Sequence, residues 1–182
     1  MATLPEIVNW LEGDDSLHLG RLLVLLGAFA GRRGENPLEG LTKLAKLDFL
    51  LRYPAYLERA LTARRADGSV SEVQEFERVS IEARMVRYRY GPWDYRYRRF
   101  LNVLVGKGLA AVRREGRTNM IHLTERGRAA AAEIAAQPEY AALRHRAGLL
   151  KRHLDLSGTR LMEFIYETFP EVVSLRSGEV ID

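Results

Sequence analysis

The side chains best suited to chemistry in this sequence are arginines, and they are concentrated. From Arg84 to Arg128 twelve residues are basic and three acidic, so this stretch carries +9 in a chain of net charge +4, and the remainder carries −5. Arginine's planar guanidinium donates paired hydrogen bonds to phosphate, and a series of such contacts gives sequence-independent affinity that falls steeply with salt. The candidate contacts with double-stranded DNA are Arg84, Arg87, Arg89, Arg96, Arg98, Arg99, Arg113, Arg114 and Arg117. Tyr88, Tyr90, Trp93, Tyr95 and Tyr97 interleave with them, and such rings suit stacking on bases, sugars or a protein surface. The same arginines also fit a solvated face paired with nearby acids, or contact with an acidic protein. Base-reading amides are scarce: Asn102 and Asn119 are the only ones in the stretch.

Other chemistry finds little purchase. The absence of cysteine excludes disulfides, thiolate metal sites and thiol nucleophiles, and agrees with a reducing cytosol. His18, His122, His145 and His153 lack metal-ligand spacing. Gly27, Gly31 and Gly34 are not followed by the Lys-Ser/Thr pair of a P-loop, so nucleotide is not expected by that route. There is no GxSxG motif. Asp14 and Asp15, between Gly13 and Ser16, read as cap and turn residues, and Glu163 and Glu167 as a solvated helix face. No catalytic residue, metal or cofactor is therefore expected, and the chain reads as non-enzymatic. No basic leader precedes an apolar run, and the longest such run, Leu22 to Leu26, is far short of the roughly 20 residues of a membrane span. A cytoplasmic chain without a membrane segment is expected.

The elements that must position the arginines follow from periodicity and punctuation. Met85 to Tyr90 alternates apolar or aromatic residues with arginine, as a short strand with one basic face does, and Gly91-Pro92 is expected to end it. Asp94 is placed to cap a helix reaching Lys107, with Tyr97, Leu101, Leu104 and Val105 inward and Arg96, Arg98 and Arg99 outward. Strands over 109–114 and 118–123 flank Glu115-Gly116-Arg117, and Thr124 opens a new helix. Helix, strand, tight turn, strand is the second half of a winged helix-turn-helix. Upstream, helices are expected over 4–11, 17–30, 37–52 and 55–65, with Lys43, Lys46 and Arg52 pointing outward from the third; residues 70–79 suit helix or loop. Downstream, an alanine-rich helix to Gln137, one from Pro138 to about His153, and one carrying Leu161, Phe164, Ile165 and Phe169 complete the pattern, with Pro170 ending the last. The expected fold is mainly α with a small β-hairpin wing (α+β): a winged helix-turn-helix core over 1–128, and a C-terminal helical extension over 129–182 in the same globule.

Four stretches carry a family resemblance: Leu41 to Pro54 (LTKLAKLDFLLRYP), Met85 to Val112 (MVRYRYGPWDYRYRRFLNVLVGKGLAAV), Ile121 to Gly127 (IHLTERG) and Leu161 to Val172 (LMEFIYETFPEV). Over about residues 17–175 the chain resembles the small middle component of bacterial ABC-three-component defence systems, to which Lamassu-type systems are related. The resemblance implies a non-catalytic winged-helix subunit bound to an SMC/Rad50-like coiled-coil ATPase and an effector nuclease, which together recognise invading DNA. ATP and metal would then belong to those partners. Phe164, Tyr166 and Phe169 are its candidate docking residues, and they equally suit the core of a helical layer.

Two other readings stay open at this level. One is a dimeric winged-helix transcription regulator, for which the recognition helix is short of polar base-reading side chains. The other is a scaffold whose basic face meets an acidic protein.

Overall fold

The computed structural model describes residues 15–65, 85–88 and 91–181; the expected helix over 4–11, the segment 70–79, Arg84, Arg89 and Tyr90 lie outside them. The first helix, α1 (Asp15–Ala30), buries Leu22 to Leu26 and Phe29, as apolar residues around most of its circumference require. After the turn at 31–34 the chain forms a two-residue strand, β1 (Leu38–Glu39), and then α2 (Gly40–Arg52). The helix expected from Pro37 thus starts three residues later, because Leu38 and Glu39 are taken by a strand partner, Ile121 and Met120. Tyr53-Pro54 ends α2, and α3 (Pro54–Ala63) begins with Pro54 in its first turn, where a missing N–H is harmless.

Downstream, β2 (Val86–Tyr88) pairs antiparallel with β3 (Gly91–Trp93), so Gly91-Pro92 begins a second strand instead of closing the first. Pro92 faces Arg87 there, and this small hairpin packs on α2 and on the C-terminal helices. The next helix, α4 (Tyr97–Gly106), is followed by β4 (Ala110–Glu115), β5 (Thr118–Leu123) and α5 (Glu125–Ala136). The three-stranded sheet has the order β1-β5-β4, all antiparallel, with Val112 opposite Ile121 and Glu115 opposite Thr118. The two-residue connection places Gly116 at φ 61°, a conformation that glycine adopts without steric cost.

The Leu-Thr-Glu-Arg-Gly run after the hairpin has a physical basis. Thr124 accepts a hydrogen bond from the Gly127 amide at 2.9 Å, capping α5, while its hydroxyl donates to Gly108 O at 2.7 Å. A side chain at position 127 would put its first carbon 1.8 Å from Leu109 O, so only glycine lets α5 approach the start of β4.

The remaining elements are a single 3-10 turn (Pro138–Tyr140), α6 (Ala141–Leu154), α7 (Gly158–Thr168) and α8 (Pro170–Ser174). Pro170 ends α7 but also starts α8, a consequence of its fixed φ. The tail returns to the small hairpin, where Val180 bridges Val86 and Tyr53 Oη donates to Ile181 O at 2.8 Å. Buried side chains from Leu22 in α1 to Ile181 at the tail form one cluster among the described residues. The architecture is mainly helical with a small antiparallel sheet.

At the centre lies α2, contacted by α3, α4, α6, α7, β1, β3 and β5. Its surroundings correct the expectation that Lys43, Lys46 and Arg52 point outward: with neighbours on most sides the helix leaves little wet face, so Lys43 and Lys46 are buried and the Arg52 side chain is only 3% exposed. Lys43 reaches Asp155 at 3.0 Å, whereas Lys46, 3% exposed, donates to Thr42 O at 3.2 Å. Burial lowers the Lys46 pKa to about 8, against the opposing charge of Glu39. A folded-state pKa below the unfolded value means that the protonated amine opposes folding below pH 8, and that this penalty fades as pH rises toward 10.5. Lys46→Met is therefore expected to stabilise the fold at pH 7 by about 2–3 kcal/mol. Urea unfolding at pH 7 and at pH 10.5 checks this: the gain should shrink at the higher pH, and a loss at pH 7 would refute it.

Candidate functional site

Helix α4 and the β4–β5 hairpin carry most of the described candidate arginines. On α4, Tyr97, Phe100 and Leu104 face inward at helical spacing, and Arg98, Arg99, Asn102 and Val105 are exposed, as is Tyr95 in the turn before the helix. Val105, expected inward, is 41% exposed because Phe100 takes the buried arc. Three arginines at the start of this helix have three different fates.

Arg96 is not an outward residue. Its guanidinium forks onto Asp94, Nε to Oδ1 at 3.1 Å and Nη2 to Oδ2 at 2.9 Å, and it lies over the Phe100 ring. Asp94 also accepts the Arg96 amide at 2.9 Å, so the residue expected to cap a helix at position 94 instead stabilises the turn before α4. Arg99 also lies over Phe100 and meets Asp15 of α1 at 2.5 Å, but this pair is exposed and worth only about 0–1 kcal/mol. A phosphate can exchange for Asp15 at little cost. Arg98 is exposed and has no carboxylate partner among the described residues.

At the hairpin end, Arg113, Arg114 and Arg117 are all exposed. Strand alternation sets Arg113 and Arg114 on opposite faces, and Arg117 sits in the turn. Arg114 Nε donates to Gly116 O at 3.1 Å, which holds its guanidinium at the tip. None of the three is ion-paired among the described residues, so their charge is fully available. Arg87 is half-buried on β2, in the other sheet, with its backbone bonded to Gly178 and Glu179. It does not join the hairpin arginines. Of the aromatic residues near them, Tyr97 is buried, Trp93 packs edge-on to Tyr97 at 5.5 Å, and Tyr95 is 65% exposed. The three candidate docking aromatics also divide: Phe164 and Tyr166 are half-buried, but Phe169 is fully buried against Phe49 and Tyr56. A side chain so enclosed packs the core and offers no docking surface.

Beneath the start of α4 lies a buried ionic cluster centred on Asp48, which is 0% exposed. Its carboxylate accepts from Arg21 Nε at 2.6 Å, Arg52 Nε at 2.9 Å and Tyr97 Oη at 2.6 Å. Arg52 also donates to Asp94 Oδ2 at 2.9 Å, so the cluster runs from α1 through α2 to the turn before α4. His18 joins from α1, with Nδ1 3.0 Å from Arg21 Nη1 and its ring stacked on Phe100. Burial by itself would raise the Asp48 pKa, but the charges of Arg21 and Arg52 and the hydrogen bonds from Arg21 and Tyr97 hold it well below the usual carboxylate range. Burial likewise opposes ionisation of Asp94, and the Arg96 hydrogen bonds and Arg52 charge bring it to about 2. Tyr97, desolvated and beside the Asp48 charge, is pushed well above its ordinary value and stays a neutral donor.

The sequence pattern did not reveal this cluster. The available signal was an aspartate inside an apolar run, Leu47-Asp48-Phe49, with Arg52 one helical turn on. Among the described residues there is no group of three or more His, Asp or Glu side chains placed to hold a metal ion, and no helix is long and apolar enough to cross a membrane. The chain matches no family model, no curated protein and no solved structure.

Proposed function

We propose that the chain is a winged helix-turn-helix module that contacts double-stranded DNA through its hairpin and α4. The order α1, β1, α2, α4, β4, β5 with sheet order β1-β5-β4 supports this reading, with α3 and the small hairpin inserted ahead of the recognition helix. The observation that carries it is the group of Arg113, Arg114 and Arg117, exposed at the hairpin tip without acid partners among the described residues. Phosphate contacts of this kind orient a module on DNA without reading sequence. Arg98, and Arg99 once released from Asp15, would extend the contact along α4.

On the family resemblance, the proposal extends to a non-catalytic, cytoplasmic subunit of an SMC/Rad50-like ATPase complex with an effector nuclease, acting in bacterial defence against phage or plasmids. Division of labour supports this part: DNA and partner contacts here, ATP and metal chemistry in the partners. Affinity capture from the native host, with a nuclease-treated control, tests it. A large coiled-coil ATPase recovered in stable proportion after nuclease treatment is the expected result. Recovery of a dimer that retains specific DNA fragments would replace it with a transcription regulator.

A further inference from the structure

A second cationic feature lies away from the hairpin tip. Between the end of α1, the turn at 31–34 and α5 there is an open cavity of about 550 Å³, within the roughly 300–1,000 Å³ of small-molecule sites. Arg32, Arg33, Arg128 and Arg144 line it, and among the described residues no carboxylate does. The floor is made of very small residues, Gly27, Ala28, Ala132 and Ala135 among them. Arg128 lies across Gly34 and donates to Gly34 O and Leu123 O at 3.4 and 3.3 Å, while Arg144 donates to Ala135 O at 2.9 Å. Two guanidinium groups are thus held at the wall by backbone carbonyls, and the other two are exposed on the turn.

Part of this charge answers the carbonyl end of α1. Four guanidinium groups around one cavity exceed what a half-charge helix terminus requires, and among the described residues none of the four is paired with an acid. Bringing like charges together is unfavourable until an anion arrives. Guanidinium planes serve an anion in two ways: they fork onto phosphate, and they stack on aromatic rings. A floor of methyl groups and bare backbone leaves a smooth shelf on which a flat ring can lie. We infer that this groove binds a small organic phosphate with a flat aromatic body, the chemical class of the nucleotides.

The site is independent of the proposed DNA contact. Strand β5 runs six residues from the tip to Leu123, where Arg128 is anchored, so about 20 Å separates the two. Nor does it need a P-loop, because the anion would be held by side chains.

Calorimetric titration of the full chain at low salt with AMP tests the inference, with adenosine and inorganic pyrophosphate as comparison probes. AMP is expected to bind saturably, adenosine not to bind, and pyrophosphate to bind at least 10-fold more weakly than AMP. The double variant Arg32→Ala, Arg33→Ala should weaken AMP at least 10-fold. So should Ala132→Phe, which fills the floor from an exposed position and leaves every arginine in place; circular dichroism checks that both variants fold. The triple variant Arg113→Ala, Arg114→Ala, Arg117→Ala should leave AMP binding unchanged. Absence of saturable binding, equal loss in the triple variant, or indifference to Ala132→Phe would each overturn the inference.

Discussion

Asp48→Asn is expected to destabilise the fold by about 3–5 kcal/mol at pH 7, the range for removing one partner from a buried ion pair. The reason is what remains. Arg21 and Arg52, with side chains 11% and 3% exposed, would keep their charges with no carboxylate between them, and Tyr97 would lose a charged acceptor. Because Arg52 retains Asp94, the lower half of the range is favoured. The pH dependence has a definite sign. Asp48 has a folded-state pKa below its unfolded value, so its contribution is fully present above about pH 4 and is lost as pH falls through the folded value. Asp94, at about 2, loses its contribution over the window from about 4 to 2. Urea unfolding at pH 7 and pH 3 should show the gap between wild type and variant narrowing in acid. Asp15→Asn, which removes the charge that pairs with Arg99 in the first turn of α1, serves as control and should cost about 1 kcal/mol or less. A loss for Asp48→Asn as small as the control's would mean that the two arginines are solvated.

The contrast between those two pairs shows what could be read from sequence. Hairpin, turn and following helix were legible because their determinants are local: alternation over 109–114 and 118–123, a glycine for the turn, a threonine for the cap, and a glycine three residues later. Asp48 was hidden because its role depends on three residues that fold brings from 27 positions before it, 4 after it and 49 after it. Periodicity marked Lys43, Lys46 and Arg52 as a wet face of α2, but periodicity assumes that a helix has one. In a helix surrounded on most sides, polar residues must find partners inside, and no local pattern announces that. β1 escaped for a related reason: two residues become a strand only because β5 lies beside them. The basic site was half legible. Types and spacing marked the arginines, but only tertiary contact separates Arg96, committed to Asp94, from Arg98 and the hairpin group, which are available.

That separation fixes the expected behaviour of the hairpin. If Arg113, Arg114 and Arg117 each neutralise one phosphate, replacing all three by alanine should reduce the slope of log K against log salt by about 2.7 and weaken binding to duplex DNA by about 10²–10³-fold at 50 mM salt. The loss should be nearly equal for unrelated duplexes, since phosphate contacts carry no sequence information, and the fold should be intact because all three side chains are exposed. Arg96→Ala should behave differently. Its charge is already answered by Asp94, so the salt slope should hardly move, while stability falls because Asp94 loses a partner. Fluorescence anisotropy across a salt series, with two duplexes of unrelated sequence, separates these outcomes. Binding by the triple variant that matches wild type at low salt would remove the hairpin from the interface. A loss confined to one duplex would make the hairpin a reader of bases, which three arginines at a solvent-exposed tip are poorly built to be. Equal loss on both duplexes together with a shallower slope is what the proposed DNA contact requires.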